Sequence, residues 1–132
     1  MVGRRYLENG FVDVAMKLFV AEAATVEKRD WKLLVERLME RRRIADVVRI
    51  CELGGVPLPR TQILGIGDGH LRRNDFDGAI CLYEIAEADR DRWSQVVDKL
   101  TARPQHERRA VTIAERWLSS EEPAFERRAV NG

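Results

Sequence analysis

The sequence has little of what most catalytic and metal-binding sites need. Its 132 residues include only two cysteines, Cys51 and Cys81, and two histidines, His70 and His106. It contains no Cys-x2-Cys pair and supports no Ser-His-Asp arrangement, so neither a zinc site nor a catalytic triad is indicated. We therefore expect no enzymatic activity, no cofactor and no metal site.

The sequence also lacks an excess of charge and a long apolar run. Its formal net charge is +1, which gives no bulk attraction to nucleic acid or to a membrane surface. The apolar stretch 11–24 is interrupted by Asp13, Lys17 and Glu22, a pattern typical of an amphipathic helix and not of a membrane span. Both cysteines lie on apolar helical stripes, where a reduced thiol acts as a small hydrophobe. We expect a cytoplasmic protein that does not contact a membrane.

What the sequence does contain is helical periodicity, clearest in the stretch 59–89. Ile63 and Gly67 lie at helical spacing, Asn74-Asp75 then interrupts, and Ala79 and Tyr83 continue the pattern. Two antiparallel helices approach closely only where small side chains lie at their crossing, and Gly67 and Ala79 supply such positions. The stretch therefore predicts a helical hairpin that needs neighbours to bury its apolar face.

The same spacing occurs three more times along the chain. Twelve residues separate Gly67 from Ala79, and the same interval separates Gly3 from Ala15 and Val35 from Val47. The fourth copy, from Val97 to Ile113, is four residues longer, and the extra residues fall around 103–106, which we interpret as a longer turn. Successive copies are offset by 32, 32 and 30 residues.

This pattern resembles the tetratricopeptide repeat, which runs W-x2-L-G-x2-Y and then A-x3-F over about 34 residues. Gly67-x2-His70 and Ala79-x3-Tyr83 carry the resemblance most clearly. It implies an all-α fold, a right-handed α-solenoid of about four antiparallel helix-turn-helix repeats in residues 1–119. Residues 120–132 are expected to form a C-terminal capping helix or a flexible tail. The helices are predicted at 2–8, 11–26, 30–41, 43–53, 60–73, 76–88, 91–102 and 107–119.

The resemblance also implies a function, that of a scaffold or adaptor whose first helices line a concave groove for a peptide or helix from a partner protein. The identity of that partner does not follow from the sequence. Carried over position by position, the partner-binding groove consists of Arg29, Lys32, Glu36, Met39, Glu40, Leu64, Asp68, Leu71, Arg72 and Asp98. Met39, Leu64 and Leu71 form its expected apolar floor.

Two alternatives to this function stay open. Arginine pairs recur near the predicted turns, and a ribbon of them along one edge would bind nucleic acid, although nearby acidic residues dilute the field and we do not expect it. The second alternative is a self-association domain of a longer protein. The first repeat begins inside its first helix, so the apolar side of Phe11, Val14, Leu18 and Phe19 lacks part of its cover. This predicts either that the chain is a fragment or that it forms a homo-oligomer through its N-terminal end.

Three smaller motifs favour structural interpretations. The glycines of 65–69 lack the preceding strand and the Lys-Ser/Thr of a phosphate-binding loop. Asp75 and Asp77 match part of a calcium loop, but Arg73 occupies its first ligand position, so a helix cap at Asn74 or Asp75 is favoured. His70 replaces the tyrosine of the repeat and is expected in the interior. Trp31 and Trp93 are expected to wedge between their own hairpin and the preceding one.

Overall fold

The structure, a computed structural model, describes residues 1–119, which form eight α-helices and no strand. The all-α prediction is confirmed for these residues, whereas the predicted capping helix or tail at 120–132 lies outside them. No helix in 1–119 is long and apolar enough to span a bilayer. The α-helices are α1 (Val2–Glu8), α2 (Val12–Ala21), α3 (Lys28–Glu40), α4 (Ile44–Gly54), α5 (Arg60–Arg72), α6 (Phe76–Ile85), α7 (Arg90–Thr101) and α8 (Glu107–Trp117).

The predicted bounds agree with these helices to within a few residues except at the end of α2. A single helix was expected over 11–26, but α2 ends at Ala21 and a 3-10 helix follows at Ala23–Thr25. The reason is local, since both the amide and the hydroxyl of Thr25 donate to the Glu22 carbonyl, at 2.8 and 2.9 Å. Threonine side chains that bond to nearby backbone carbonyls favour such turns over continued helix.

The helices pair in chain order as α1 with α2, α3 with α4, α5 with α6, and α7 with α8. The chain divides into two compact units, the first at Met1–Pro59 and the second beginning at Arg60. Each unit therefore contains two helical hairpins.

Three of the four hairpin turns share one backbone conformation at a spacing of 32 residues. Gly10, Arg42 and Asn74 each adopt a left-handed conformation, with φ of 87°, 57° and 63°. The amide of the following residue bonds back to the carbonyl five residues earlier in each turn, from Phe11 to Tyr6, Arg43 to Leu38 and Asp75 to His70. This is the Schellman arrangement that ends a helix. The period predicted from the side chains thus recurs in the backbone of these turns.

The turn between α7 and α8 is different. A second 3-10 helix, Pro104–His106, occupies it, and Pro104 begins that helix. Proline suits a first helical position because its missing amide is not needed there. The longer turn predicted around residues 103–106 is therefore confirmed.

Trp31 anchors the first unit. Its side chain is 3% exposed, and its ring meets Phe19 of α2 edge-on at 5.5 Å between centroids. A Cβ added to Gly54 of α4 would lie 2.6 Å from the indole, so only glycine lets α4 approach this closely. Trp31 is thus wedged between its own hairpin and the preceding one, as predicted.

Trp93 has the same role in the second unit. It is 1% exposed, meets Tyr83 of α6 edge-on at 5.7 Å, and stacks on Trp117 of α8 at 4.6 Å. Tyr83 in turn fills the space beside Gly67, where an added Cβ would lie 2.7 Å from the phenol ring. The absence of a side chain at Gly67 therefore leaves room for the large ring of Tyr83.

Three predicted side-chain positions are wrong. Phe19, expected to lack cover, is fully buried because its ring packs against Gly3 and Trp31. Cys81 is exposed, and only Cys51 is buried. His70, expected in the interior, is only partly buried, with 28% of its side chain exposed and its Nδ1 2.7 Å from Asp75 Oδ2.

Candidate functional site

The second unit contains a cleft of about 380 Å³ between α5 and α7. Both helices are the first of their hairpins, and Tyr83 of α6 reaches into the cleft from behind. Six of its lining residues carry charge, which is a high proportion for a small depression. The cleft is lined by Asp68, Leu71, Arg72, Tyr83, Asp89, Asp91, Arg92, Gln95 and Lys99.

The floor of the cleft is a hydrogen-bonded network centred on Asp68. Its carboxylate accepts two bonds from the Arg92 guanidinium, from Nε and Nη2, both at 2.9 Å. The Tyr83 hydroxyl donates to the same carboxylate at 2.5 Å. A bidentate guanidinium–carboxylate pair fixes both groups in orientation as well as distance. The network therefore ties α5, α6 and α7 together.

Arg92 also donates to Asp89 Oδ1 at 2.7 Å, so one guanidinium pairs with two carboxylates. These bonds hold the pKa of Asp68 and of Asp89 below the ordinary range for a carboxyl group. Burial, together with the bond to Asp68, raises the pKa of the Tyr83 phenol. All three charged groups therefore stay ionised at neutral pH and the phenol stays protonated. The hydrogen bonds of the floor therefore remain intact at neutral pH, and none of its groups can act as an acid or base near neutrality.

The other end of the cleft carries two cations that have no carboxylate partner among residues 1–119. Lys99 Nζ donates to the Leu71 carbonyl at 3.1 Å and to Asn74 Oδ1 at 3.2 Å, both neutral acceptors. Arg72 is exposed on the rim and makes no ion pair within the described residues. An ammonium group has three donors, so Lys99 retains one for a ligand.

The structure places the predicted groove residues in two separate groups. In the first unit, Met39 is only 6% exposed and belongs to the core. Two of the exposed side chains form local ion pairs, Arg29 with Glu27 and Glu40 with Arg37. The exposed predicted residues of α3 are Arg29, Lys32, Glu36 and Glu40.

In the second unit, three predicted residues meet in the cleft: Asp68, Leu71 and Arg72. Leu71 is 4% exposed, so it gives a ligand in the cleft little apolar surface to contact. Leu64 packs against the core of the unit and is partly buried. Asp98 is exposed on α7 outside the cleft lining.

Some cleft residues were not expected to face a ligand, namely Tyr83, Arg92, Gln95 and Lys99. A signal for two of them exists in the sequence. Gln95 and Lys99 follow Asp91 at intervals of four residues, so the three share one face of α7. The pairing of Arg92 with Asp68 has no such signal, because 24 residues separate them.

Within residues 1–119, several arginines of the pairs near the turns are engaged by other residues of the chain. Arg43 bonds to Asp13 at 2.6 Å and to Asp46 at 2.9 Å, which raises the pKa of its guanidinium. Arg109 pairs with Asp77 in the same manner, between the first turns of α8 and α6. These contacts connect the second helices of neighbouring hairpins within each unit.

The residues of the partial calcium motif also have structural partners. Asp75 caps α6, accepting a bond from the Gly78 amide at 3.1 Å. That bond and the one from His70 lower the pKa of Asp75. The cap predicted for Asn74 or Asp75 is thus supplied by Asp75. Within the described residues no group of three His, Cys, Asp or Glu side chains is arranged to hold a metal ion.

A second surface feature is the outer face of α1 and α2. Val2, Tyr6, Phe11 and Val14 are 60, 40, 57 and 42% exposed. Tyr6 and Phe11 meet edge-on at 6.1 Å, so the patch is continuous across the hairpin. Contiguous apolar patches of this kind are characteristic of contact surfaces.

No protein-family model matches the chain, and no curated protein or solved structure matches it either.

Proposed function

We propose that the chain is a non-enzymatic protein–protein interaction module, a tetratricopeptide-like right-handed solenoid of four hairpins that binds a segment of a partner protein. The observation that carries the proposal is the cleft between α5 and α7. Its floor is held rigid by internal hydrogen bonds, while Arg72, Asp91 and Gln95 stand exposed on its rim. A preorganised floor with a polar rim lowers the ordering cost of binding.

The support for a repeat architecture comes from the turns. The left-handed residues Gly10, Arg42 and Asn74 recur every 32 residues, and Gly55 and Glu87 repeat that spacing between hairpins. Arg60 and Arg90 occupy equivalent positions in successive hairpins, since each begins the first helix of its hairpin. Arg60 donates to the Ala86 and Glu87 carbonyls and Arg90 to the Leu118 carbonyl, at the end of the second helix.

The test is capture of a partner by wild type and by a rim variant, Arg72→Glu with Asp91→Lys. Both side chains are exposed and lie outside the hydrogen-bonded floor, so the variant should fold like wild type. The matched control is Arg108→Glu with Glu115→Lys, two exposed residues of α8 that do not line the cleft. We expect the rim variant to lose the partner and the control to retain it. Equal capture by all three proteins would refute the proposal for this cleft.

A second candidate function is self-association through the outer face of α1 and α2, which the exposed Val2, Tyr6, Phe11 and Val14 favour. Phe11→Ser removes the most prominent ring, and Val111→Ser in α8, where the side chain is 52% exposed, is the control. If this face associates, light scattering will show a concentration-dependent mass for wild type and the control that is lost in Phe11→Ser. A constant monomer mass for all three would exclude it.

Nucleic-acid binding through the arginine pairs has less support, because Arg43 and Arg109 are engaged with carboxylates. A salt titration distinguishes it, since phosphate contacts give affinity that falls steeply with salt.

A further inference from the structure

The charges of the cleft are separated by sign along its length. One face of α7 carries Asp91, Gln95 and Lys99 at intervals of four residues. The side-chain charge on this face therefore changes from negative through neutral to positive along the helix. On the opposite wall, Asp68 lies in the floor network beside Arg92, and Arg72 stands one helical turn further on. Arg72 adjoins Leu71, whose carbonyl holds Lys99.

The two ends differ in net charge. The Asp91 end contains three carboxylates and one guanidinium, those of Asp68, Asp89, Asp91 and Arg92, and is negative by two charges. The other end contains the two cations Arg72 and Lys99 and is positive by two. Within the cleft, ion pairs form only around Arg92. Asp91 at one end and both cations at the other have no opposite partner among residues 1–119.

On this basis we propose that the cleft binds an extended protein segment that carries a basic and an acidic side chain three or four residues apart, the basic one over Asp91 and the acidic one between Arg72 and Lys99. The proposal rests on the interaction function inferred above and specifies the chemistry of the partner. The acidic side chain uses the remaining donor of Lys99 together with the Arg72 guanidinium. The basic side chain contacts the Asp91 carboxylate.

The spacing follows from helix geometry. Asp91 and Lys99 are eight residues apart in α7, which corresponds to about 12 Å along the axis at the rise of an α-helix. An extended chain covers that length in three or four residues. A bound helix of the same length has a volume of about 1,000 Å³, from the usual helix diameter. The cleft measures about 380 Å³, less than half of that volume, which favours an extended segment over a helix.

The test begins with selection of random twelve-residue peptides displayed on phage against the full chain. We expect enrichment of peptides with a basic and an acidic residue three or four positions apart, in either chain direction. Selection against Arg72→Glu should lose the acidic residue and retain the basic one. Selection against the control Arg108→Glu should give the wild-type pattern.

A double-mutant cycle then locates the contact. One selected peptide is measured by fluorescence anisotropy with its acidic residue intact and replaced by the corresponding amide, against wild type and Arg72→Glu. We expect the peptide change to weaken binding to wild type by up to about fivefold, the upper limit for an exposed ion pair, and to leave binding to Arg72→Glu unchanged. Lys99→Met, verified as folded by circular dichroism, should behave like Arg72→Glu.

The outcomes separate this inference from the function on which it rests. If selected peptides bind but the cycle shows no coupling to Arg72 or Lys99, the charge register is wrong while peptide binding stands. If no peptide is enriched above background by wild type or the control, both this inference and the proposed function fail.

Discussion

The three glycines of α5 allow a sharp test of the packing, because the same substitution should have opposite effects at neighbouring positions. A Cβ added to Gly65 meets nothing within 4 Å. Gly65→Ala should therefore gain the full difference in helix propensity, about 0.8–1.0 kcal/mol. A Cβ added to Gly67 would lie 2.7 Å from Tyr83 Cε1 and 2.9 Å from Cδ1.

Tyr83 has little freedom to move away from that Cβ. It is fully buried, its hydroxyl is held by Asp68, and its ring packs edge-on against Trp93. Overpacking of this kind costs about 1–3 kcal/mol, which offsets the propensity gain and leaves a net loss of about 1 kcal/mol for Gly67→Ala. Gly69→Ala should be mildly stabilising, because the nearest atoms are the flexible ends of Arg73 and Arg72 at 3.5 and 3.6 Å.

The assay is urea unfolding followed by far-UV circular dichroism, with hydrogen exchange to assign the effect to α5. In wild type we expect α5 to exchange faster than α3 and α7, because three glycines weaken it, and Gly65→Ala should slow that exchange. The difference of about 2 kcal/mol between Gly65→Ala and Gly67→Ala corresponds to roughly 8–16 °C in Tm for a unit of this size. Equal stabilisation by both substitutions would show that Tyr83 does not pack against Gly67.

Three further predictions test other parts of the chain. Trp31→Ala should destabilise the first unit by about 3–5 kcal/mol, as truncation of a buried aromatic does; retention of full stability in urea would contradict its wedge position. Arg42→Gly should raise the free energy of unfolding by about 1 kcal/mol, because a left-handed conformation is strained for any residue with a Cβ. An unchanged Tm would contradict the left-handed conformation of Arg42. The pKa of Asp68 is lowered in the folded state, so its stabilisation is present above its unfolded pKa, about 3.9, and is lost as pH falls through the lower folded value. In acid titrations of unfolding, the stability gap between wild type and Asp68→Asn should therefore narrow below about pH 4, and a gap that stays constant would refute the ionised network.

The helices and their turns were predictable because they depend on local spacing. Glycine or asparagine at a left-handed position, as at Gly10 and Asn74, is a signal within one turn of the chain. The wedge positions of Trp31 and Trp93 followed from the same register. The end of α2 was missed because Thr25 redirects its hydrogen bonds to Glu22, which competes with a helix of otherwise favourable sequence.

The floor of the cleft was not predictable, because its bonds join distant parts of the chain. Asp68 has several basic residues within reach in sequence, including its neighbour Arg72, yet its partner is Arg92 from the next hairpin. Which guanidinium reaches it depends on how α7 packs against α5. Cys81 shows a related difficulty, since it was placed on an apolar stripe by its spacing alone and the packed helix leaves it exposed.

Tyr83 links the packing of the hairpin to the electrostatics of the cleft. Its ring occupies the space that Gly67 leaves open, while its hydroxyl holds Asp68 in place for Arg92. A change at Gly67 should therefore displace the floor of the cleft although Gly67 does not line it. Rim residues such as Arg72 and Asp91 have no such connection and should alter binding alone. Two classes of variant follow: floor variants should change stability and binding together, whereas rim variants should change binding at constant stability. If the cleft served only for packing, no variant would change binding while leaving stability constant. Rim variants that do so would therefore identify the cleft as a binding site.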